Sequence, residues 1–157
     1  MSMGDNLSVE RQSLMERAAD LAAERFVDFN CAESSFWGVA QALGLSCDDV
    51  LLRACTAFGA GIGQARATCG ALSGAVLALG VALGRTTPDA ERKAAAYAAA
   101  RQLHERFTAG AGDCICAALN PQGFDWPDVR VHCVRFVILA ARLAAEILLD
   151  AAAPPAE

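Results

Sequence analysis

Seven cysteines in a chain of 157 residues are the side chains best suited to chemistry. Cysteine thiolates bind metals, attack disulfides and undergo reversible oxidation. The cysteine number is odd, and the first residues, MSMGDNLSVERQ, lack the basic and apolar regions of a secretory signal. We therefore expect a cytoplasmic protein in which metal binding or reactive thiols are favoured over a disulfide scaffold.

Three of the cysteines stand where predicted helices begin. Cys31 directly follows Asn30, a helix-capping residue type. Cys69 follows a glycine-rich loop, and Cys116 comes shortly after Gly112. Unpaired backbone N–H groups and the positive end of the helix dipole stabilise a thiolate at such positions. We expect a lowered thiol pKa at these three residues, which would suit either metal binding or redox chemistry.

The other cysteines carry a weaker signal. Cys133 lies in the first turns of the last predicted helix, and Cys114 precedes Cys116 in a Cys-x-Cys pair, so Cys114 is left open as a further ligand. Packing is the preferred interpretation for Cys47 and Cys55. No Cys-x-x-Cys pair is present, and buried free cysteine often only fills space, so spacing alone does not identify a metal site.

Residues 58–63 read FGAGIG, which is too rich in glycine for a helix interior. One interpretation is that backbone N–H groups there point toward sulfur, with the backbone shaped by Gly59, Gly61, Gly63 and Gly70. The other is a tight connection between packed helices. A phosphate-binding loop is disfavoured because the segment follows a predicted helix and lacks the Lys-Ser/Thr pair.

The elements that position these residues are predicted to be helices only. Hydrophobic residues make up 55% of the chain and aromatic residues 6%, much of the excess being alanine, which favours close helix packing. We predict an all-α bundle of five to six helices with the glycine-rich loop before a buried central helix. The predicted helices cover residues 8–29, 31–43, 46–57, 68–83, 87–107 and 127–149, with a short one at 114–119. We expect residues 8–150 to form one helical redox domain, after a flexible segment 1–7 and before a disordered tail 151–157.

Charge and hydropathy exclude two classes of function. The formal net charge is −5 and no block of Lys or Arg stands out, which argues against nucleic-acid binding. Residues 67–84 carry no charge, but they are rich in Gly and Ala, so a buried helix is favoured over a membrane span. The Gly-x-x-x-Gly spacing in this segment permits a homodimer without requiring one.

Several segments together resemble a family of redox-active proteins named for its cysteine signature. The resemblance is carried by NCAES at residues 30–34, FGAGIG at 58–63 and TCGALSG at 68–74, followed in order by Cys116 and Cys133. It extends over nearly the whole chain, and the glycine-rich loop joined to Cys-Gly-Ala-x-x-Gly is its most specific part.

The resemblance implies that Cys31, Cys69, Cys116 and Cys133 form one site. Related sequence is similar to a part of the split-Soret cytochromes that is associated with an iron–sulfur centre. This chain has no Cys-x-x-Cys-His, so no c-type haem is expected. Ala60 stands where the family commonly has glycine, and three additional cysteines are present. These departures leave the ligand set open.

The leading hypothesis is an electron-transfer or redox-sensing protein whose four cysteines hold an iron–sulfur cluster, with [2Fe–2S] favoured over [4Fe–4S]. It would act as an electron carrier for an unknown redox partner rather than as an enzyme with its own substrate. A metal-free thiol–disulfide protein using the same four cysteines as reactive thiols is the second hypothesis. A structural zinc site is the third, and copper(I) is also compatible with sulfur ligands.

Overall fold

The computed structural model describes residues 3–153, and all regular elements in that range are helices. They are α1 (Met3–Arg25), α2 (Cys31–Leu43), α3 (Asp49–Thr56), α4 (Gly59–Ile62), α5 (Gly70–Leu83), α6 (Ala90–Ala111), α7 (Cys116–Leu119) and α8 (Val129–Ala152). Helices α4 and α7 are single turns. The six longer helices confirm the predicted all-α bundle.

Helices α1, α2, α5, α6 and α8 pack together and are called the helical stem below. Its interior is dominated by alanine, with fully buried residues that include Ala18, Ala22, Ala40, Ala75, Ala140 and Ala144. Glycine brings the backbones closer still. A Cβ on Gly74 of α5 would collide with the Ala32 carbonyl of α2, and one on Gly38 would collide with the Ala18 carbonyl. As predicted, α5 is the buried central helix.

The start of α2 is fixed by the predicted capping box. The Asn30 side-chain oxygen accepts hydrogen bonds from the Ala32 and Glu33 backbone N–H groups, both at 3.0 Å. The Glu33 carboxylate accepts the Asn30 backbone N–H at 2.8 Å and the Thr56 hydroxyl at 2.6 Å. The cap therefore also ties α2 to the end of α3, and it holds Cys31 at the first helical position.

Two other helix starts differ from the prediction. Asp48, not Ser46, caps α3 by accepting the Leu51 N–H at 2.9 Å. Asp89, not Thr87, caps α6. In both places an aspartate nearer to the helix competes with the predicted residue, and its carboxylate is an equally good acceptor for the free N–H groups.

The ends of the bundle are more helical than expected. Helix α1 begins at Met3, within the segment predicted to be flexible, and α8 continues to Ala152, into the predicted tail. Residues 1–2 and 154–157 lie outside the described residues. None of the helices in residues 3–153 combines the length and the apolar character needed to cross a bilayer. The uncharged segment 67–84 contributes only the 14 residues of α5 to a helix.

Candidate cysteine site

The structure brings four cysteines from separate elements to one cavity of about 240 Å³. Cys31 is the first residue of α2, Cys69 immediately precedes α5, Cys116 opens α7 and Cys133 lies in the second turn of α8. These are the four residues predicted to form one site. The segments around this cavity, residues 57–69 and 112–128 with the starts of α2, α5 and α8, are called the cysteine end below.

The remaining cysteines do not line the cavity. Cys55 is buried in the core of the bundle. Burial, and next the charge of Cys47, raise the pKa of its thiol. Cys114 is half-buried, and it contributes a backbone carbonyl rather than a thiol to the site, as described next. Packing therefore accounts for Cys55, as expected from the sequence.

Two loops place Cys69 and Cys116 side by side. The Cys69 N–H donates to the Cys114 carbonyl at 2.8 Å, and the Cys116 N–H donates to the Ala67 carbonyl at 2.6 Å. Thr68 and Ile115 form the antiparallel bridge between these bonds. Sequence reasoning missed this pairing because a single bridge leaves no alternating pattern.

The glycine-rich loop winds in the left-handed sense. Ala60, Gly61, Ile62, Gly63 and Gln64 all have positive φ, between 53° and 72°. The turn is closed by the Gly63 N–H, which donates to the Ala57 carbonyl at 2.9 Å. Left-handed backbone costs a non-glycine residue roughly 1–2 kcal/mol, so three residues of this turn are strained. The strain lies directly beside the cavity, where Ala60 and Gln64 form part of the wall.

Backbone groups near two of the sulfurs favour their charged forms. The backbone of Ala60, Ala32 and Ala71 lowers the pKa of the Cys31 thiol, against the larger effect of burial. Ala71 and Leu72 act in the same way on Cys69. Backbone N–H groups beside thiolates adjust the potential of a metal centre. The effect of Ala60 on Cys31 favours the interpretation in which the loop serves sulfur as well as connecting helices.

The four glycines singled out from the sequence are not equivalent. A Cβ on Gly70 would lie 2.5 Å from the Cys31 Sγ, and one on Gly61 would lie 2.8 Å from the Cys116 Cβ. A Cβ on Gly59 would lie 2.5 Å from the Asn30 amide nitrogen. A Cβ on Gly63 would meet open space, so its contribution is its left-handed φ of 55°. Gly70 thus provides a cradle for the Cys31 sulfur that any side chain would fill.

Burial raises the thiol pKa at all four positions. The pKa of Cys69 rises to about 12 and that of Cys133 to about 11, in each case mainly by desolvation and next by the charge of Cys31. Burial also raises the pKa of Cys31 and Cys116. The expectation of lowered pKa values at helix starts is therefore wrong, because loss of hydration outweighs the N–H groups and helix dipoles.

The four thiols also oppose one another's ionisation. Charge on Cys31 raises the pKa of Cys69, Cys116 and Cys133, and charge on Cys116 raises the pKa of Cys69 and Cys133. Four thiolates can coexist in this cavity only beside a compensating positive charge.

The walls of the cavity are mainly apolar, and some of its residues were not anticipated. Asn120 is 1% exposed and receives the Trp126 indole N–H at 3.3 Å. Arg130 donates to the carbonyls of Phe26 and Phe29, which fixes the end of α1 to the start of α8. The sequence predicts Asn120 only as part of a turn. No local sequence signal distinguishes Arg130 from a surface arginine.

Among the described residues, 3–153, no group of three or more His, Cys, Asp or Glu side chains is arranged so that it could hold a metal ion. The four thiols share a cavity without forming a compact set of ligands around one point.

Residues 29–147 match the family described as "Putative redox-active protein (C_GCAxxG_C_C)". The chain belongs to this family. An uncharacterized protein of Archaeoglobus fulgidus is 29% identical over 130 residues, which cover 77% of this chain and 85% of that protein. No solved structure matches the chain. Family membership indicates a redox role, while the similarity to split-Soret cytochromes stays a prediction.

Proposed function

We propose that this protein holds an iron–sulfur cluster through Cys31, Cys69, Cys116 and Cys133 and serves in electron transfer or redox sensing. The observation that carries the proposal is the convergence of these four thiols, from four separate elements, on one cavity. When bound, the cluster would accept and release one electron. We favour [2Fe–2S] over [4Fe–4S], and an electron carrier for a redox partner over an enzyme with its own substrate.

The residues around the cavity suit such a group in four respects. All four proposed ligands are thiols, the ligand type that iron–sulfur clusters use. Nearby backbone groups favour the thiolate forms of Cys31 and Cys69. Gly70 leaves room for the Cys31 sulfur, since a Cβ there would lie 2.5 Å from it. The largely apolar walls would limit access of water to the centre.

One zinc or copper(I) ion could also be held by four thiolates, with metal–sulfur bonds of about 2.3 Å. Metal analysis distinguishes these ions from a cluster, which contains iron together with acid-labile sulfide.

The raised thiol pKa values count against the metal-free alternative. Disulfide exchange requires a thiolate, and the pKa of about 12 at Cys69 leaves almost none near neutral pH. Bound iron would supply the positive charge that permits all four thiols to lose their protons. The same burial that slows disulfide exchange is therefore compatible with a metal centre.

The proposal can be tested by anaerobic reconstitution of the full-length protein with ferrous iron and sulfide. The four variants Cys31→Ser, Cys69→Ser, Cys116→Ser and Cys133→Ser should each lose most of the bound iron and of the visible thiolate-to-iron absorption. Cys47→Ser and Cys114→Ser are matched controls outside the cavity and should retain both. Wild-type-like iron in the four cavity variants would contradict the proposal.

The alternatives give different results in the same samples. Stoichiometric zinc in place of iron, with helicity lost on chelation, would identify a structural zinc site. A metal-free protein whose four cavity thiols form disulfides reversibly would identify a thiol–disulfide protein.

A further inference from the structure

At the cysteine end, Arg130 lines the cavity and donates to the carbonyls of Phe26 and Phe29, whereas Arg66 bonds to the turn that carries Cys116. Its backbone carbonyl accepts the Ala117 N–H at 3.0 Å, so Arg66 extends the pairing between the two loops. Its guanidinium donates to the Asn120 carbonyl at 2.7 Å and to the Ala117 carbonyl at 3.5 Å. One side chain thus fixes both the start and the end of the turn that carries Cys116.

Both the backbone and the side chain of Arg66 have an energetically unfavourable feature. Its φ is 60°, in the left-handed region that disfavours side chains. Its Nε is buried and has no hydrogen-bond partner. A strained backbone and an unpaired buried N–H both cost free energy. Within residues 3–153, Arg25 and Arg142 also have an unpaired buried Nε, and of these three arginines it is Arg66 that also has a positive φ and bonds to the turn that carries Cys116.

Arg135 offers an informative contrast. It is exposed on α8, its guanidinium lies 4.6 Å from the centre of the Phe136 ring, and it contacts His132 at 3.3 Å. Charge on an exposed side chain is screened by water and salt, whereas a part-buried one is screened much less. Both arginines lower the thiol pKa of a cavity cysteine, Cys116 for Arg66 and Cys133 for Arg135.

We infer that Arg66 is a positioning residue that holds the Cys116 turn in place and whose charge raises the reduction potential of the bound cluster. The inference rests on the proposed function. Adding one electron makes an anionic thiolate-ligated cluster more negative, and a fixed nearby cation stabilises that reduced form. Arginine suits this role because it stays charged at every relevant pH and donates to two carbonyls at once.

The test compares Arg66→Gln, which removes the charge, with Arg66→Lys, which retains it but loses the two-carbonyl geometry. Arg135→Gln and Arg101→Gln are controls with the same change in net charge, Arg101 being exposed on α6 outside the cavity. In reconstituted protein, the midpoint potential should fall most for Arg66→Gln, less for Arg135→Gln and not at all for Arg101→Gln. Arg66→Lys should stay close to wild type.

A second readout in metal-free protein separates this inference from the proposed function. Hydrogen–deuterium exchange of the amides at 117–120 should be faster in both Arg66 variants than in wild type or Arg101→Gln. If wild-type protein binds no cluster, the proposed function fails, and the exchange result still decides the positioning role. The inference is overturned if Arg66→Gln and Arg101→Gln have the same potential, or, without a cluster, the same exchange rates.

Discussion

The helical stem and the cysteine end use the same two small residues, glycine and alanine, for opposite purposes. In the stem, Gly74 has an ordinary helical backbone, and it permits α2 and α5 to touch because a Cβ would meet the Ala32 carbonyl. In the cysteine end, Gly61 and Ala60 have positive φ and turn the chain left-handed beside the sulfurs. Gly74 in the stem has unstrained backbone, whereas the cysteine end contains residues with strained, left-handed backbone.

This difference indicates how the two regions divide the requirements of the fold. Close packing of many buried small side chains stabilises the stem, and that stability can offset several strained residues elsewhere. The strained turn brings the backbone of Ala60 near Cys31, where it lowers the pKa of the thiol. Mutations of one residue type should therefore have opposite consequences in the two regions.

The largest effect on stability is expected for Gly74→Ala in the stem. The added Cβ would overlap the Ala32 carbonyl, a backbone atom that can move only if the helices separate. We expect the free energy of unfolding to fall by about 3 kcal/mol in urea titrations of the metal-free protein. Gly80→Ala in the same helix meets nothing within 4 Å and should stabilise by about 1 kcal/mol. Equal stability of the two variants would refute the close-packing account.

Gly70→Ala should instead affect the site more than the fold. Its Cβ would lie 2.5 Å from the Cys31 Sγ and 2.8 Å from the Phe58 carbonyl oxygen. We expect a loss of about 2 kcal/mol in unfolding free energy, because the sulfur can rotate away but the Phe58 carbonyl, a backbone group, must shift. Reconstituted protein should retain little iron. Normal iron content in this variant would show that the cradle is not needed for metal binding.

The same Ala→Gly change should have opposite signs in the two regions. Ala60→Gly removes the left-handed strain and should stabilise the protein by about 0.5–1 kcal/mol, after allowing for the greater freedom of glycine in the unfolded chain. Ala95→Gly, at an exposed position in α6, should destabilise by about 1 kcal/mol. Thermal and urea unfolding of metal-free protein measure both changes. Destabilisation by both variants would argue against a strained turn.

The smallest effect concerns the stability of the metal-free protein between pH 7 and pH 9. Burial raises the pKa of Cys69 from 9.0 to about 12 and that of Cys133 to about 11, so unfolding releases protons as the pH approaches 9. The contribution of these thiols to stability is therefore fully present well below pH 9 and is lost as the pH rises through 9 toward the folded-state pKa values. We expect a loss of about 0.4 kcal/mol per thiol at pH 9. The double variant Cys69→Ser, Cys133→Ser should show a weaker pH dependence, and an unchanged one would contradict the assigned burial.

Much of the fold was predictable because its signals are local. Asn30 and Glu33 form their capping box within four residues, and the uncharged segment containing α5 identifies the central helix by composition. The approach of the four cavity cysteines was predictable from the family resemblance and, for three of them, from their positions at helix starts. These features depend on neighbouring residues or on a pattern that a sequence displays directly.

The features of the fold and of the site that were not predicted depend on contacts that a sequence does not display. Ala60, Ile62 and Gln64 favour right-handed backbone by type, so their left-handed φ values could not be predicted. The thiol pKa values were predicted in the wrong direction because helix starts are visible in the sequence, whereas the depth of burial is not. The bonds from Arg66 to residues 117–120 join segments about 50 positions apart, a separation without a local pattern.

The most direct test of the central claim is a metal and sulfide analysis of the full-length protein purified without oxygen, with a visible spectrum of the same sample. The account predicts a coloured protein containing iron and acid-labile sulfide in equal amounts, and no stoichiometric zinc. A colourless protein that stays free of iron after reconstitution with ferrous iron and sulfide would contradict it.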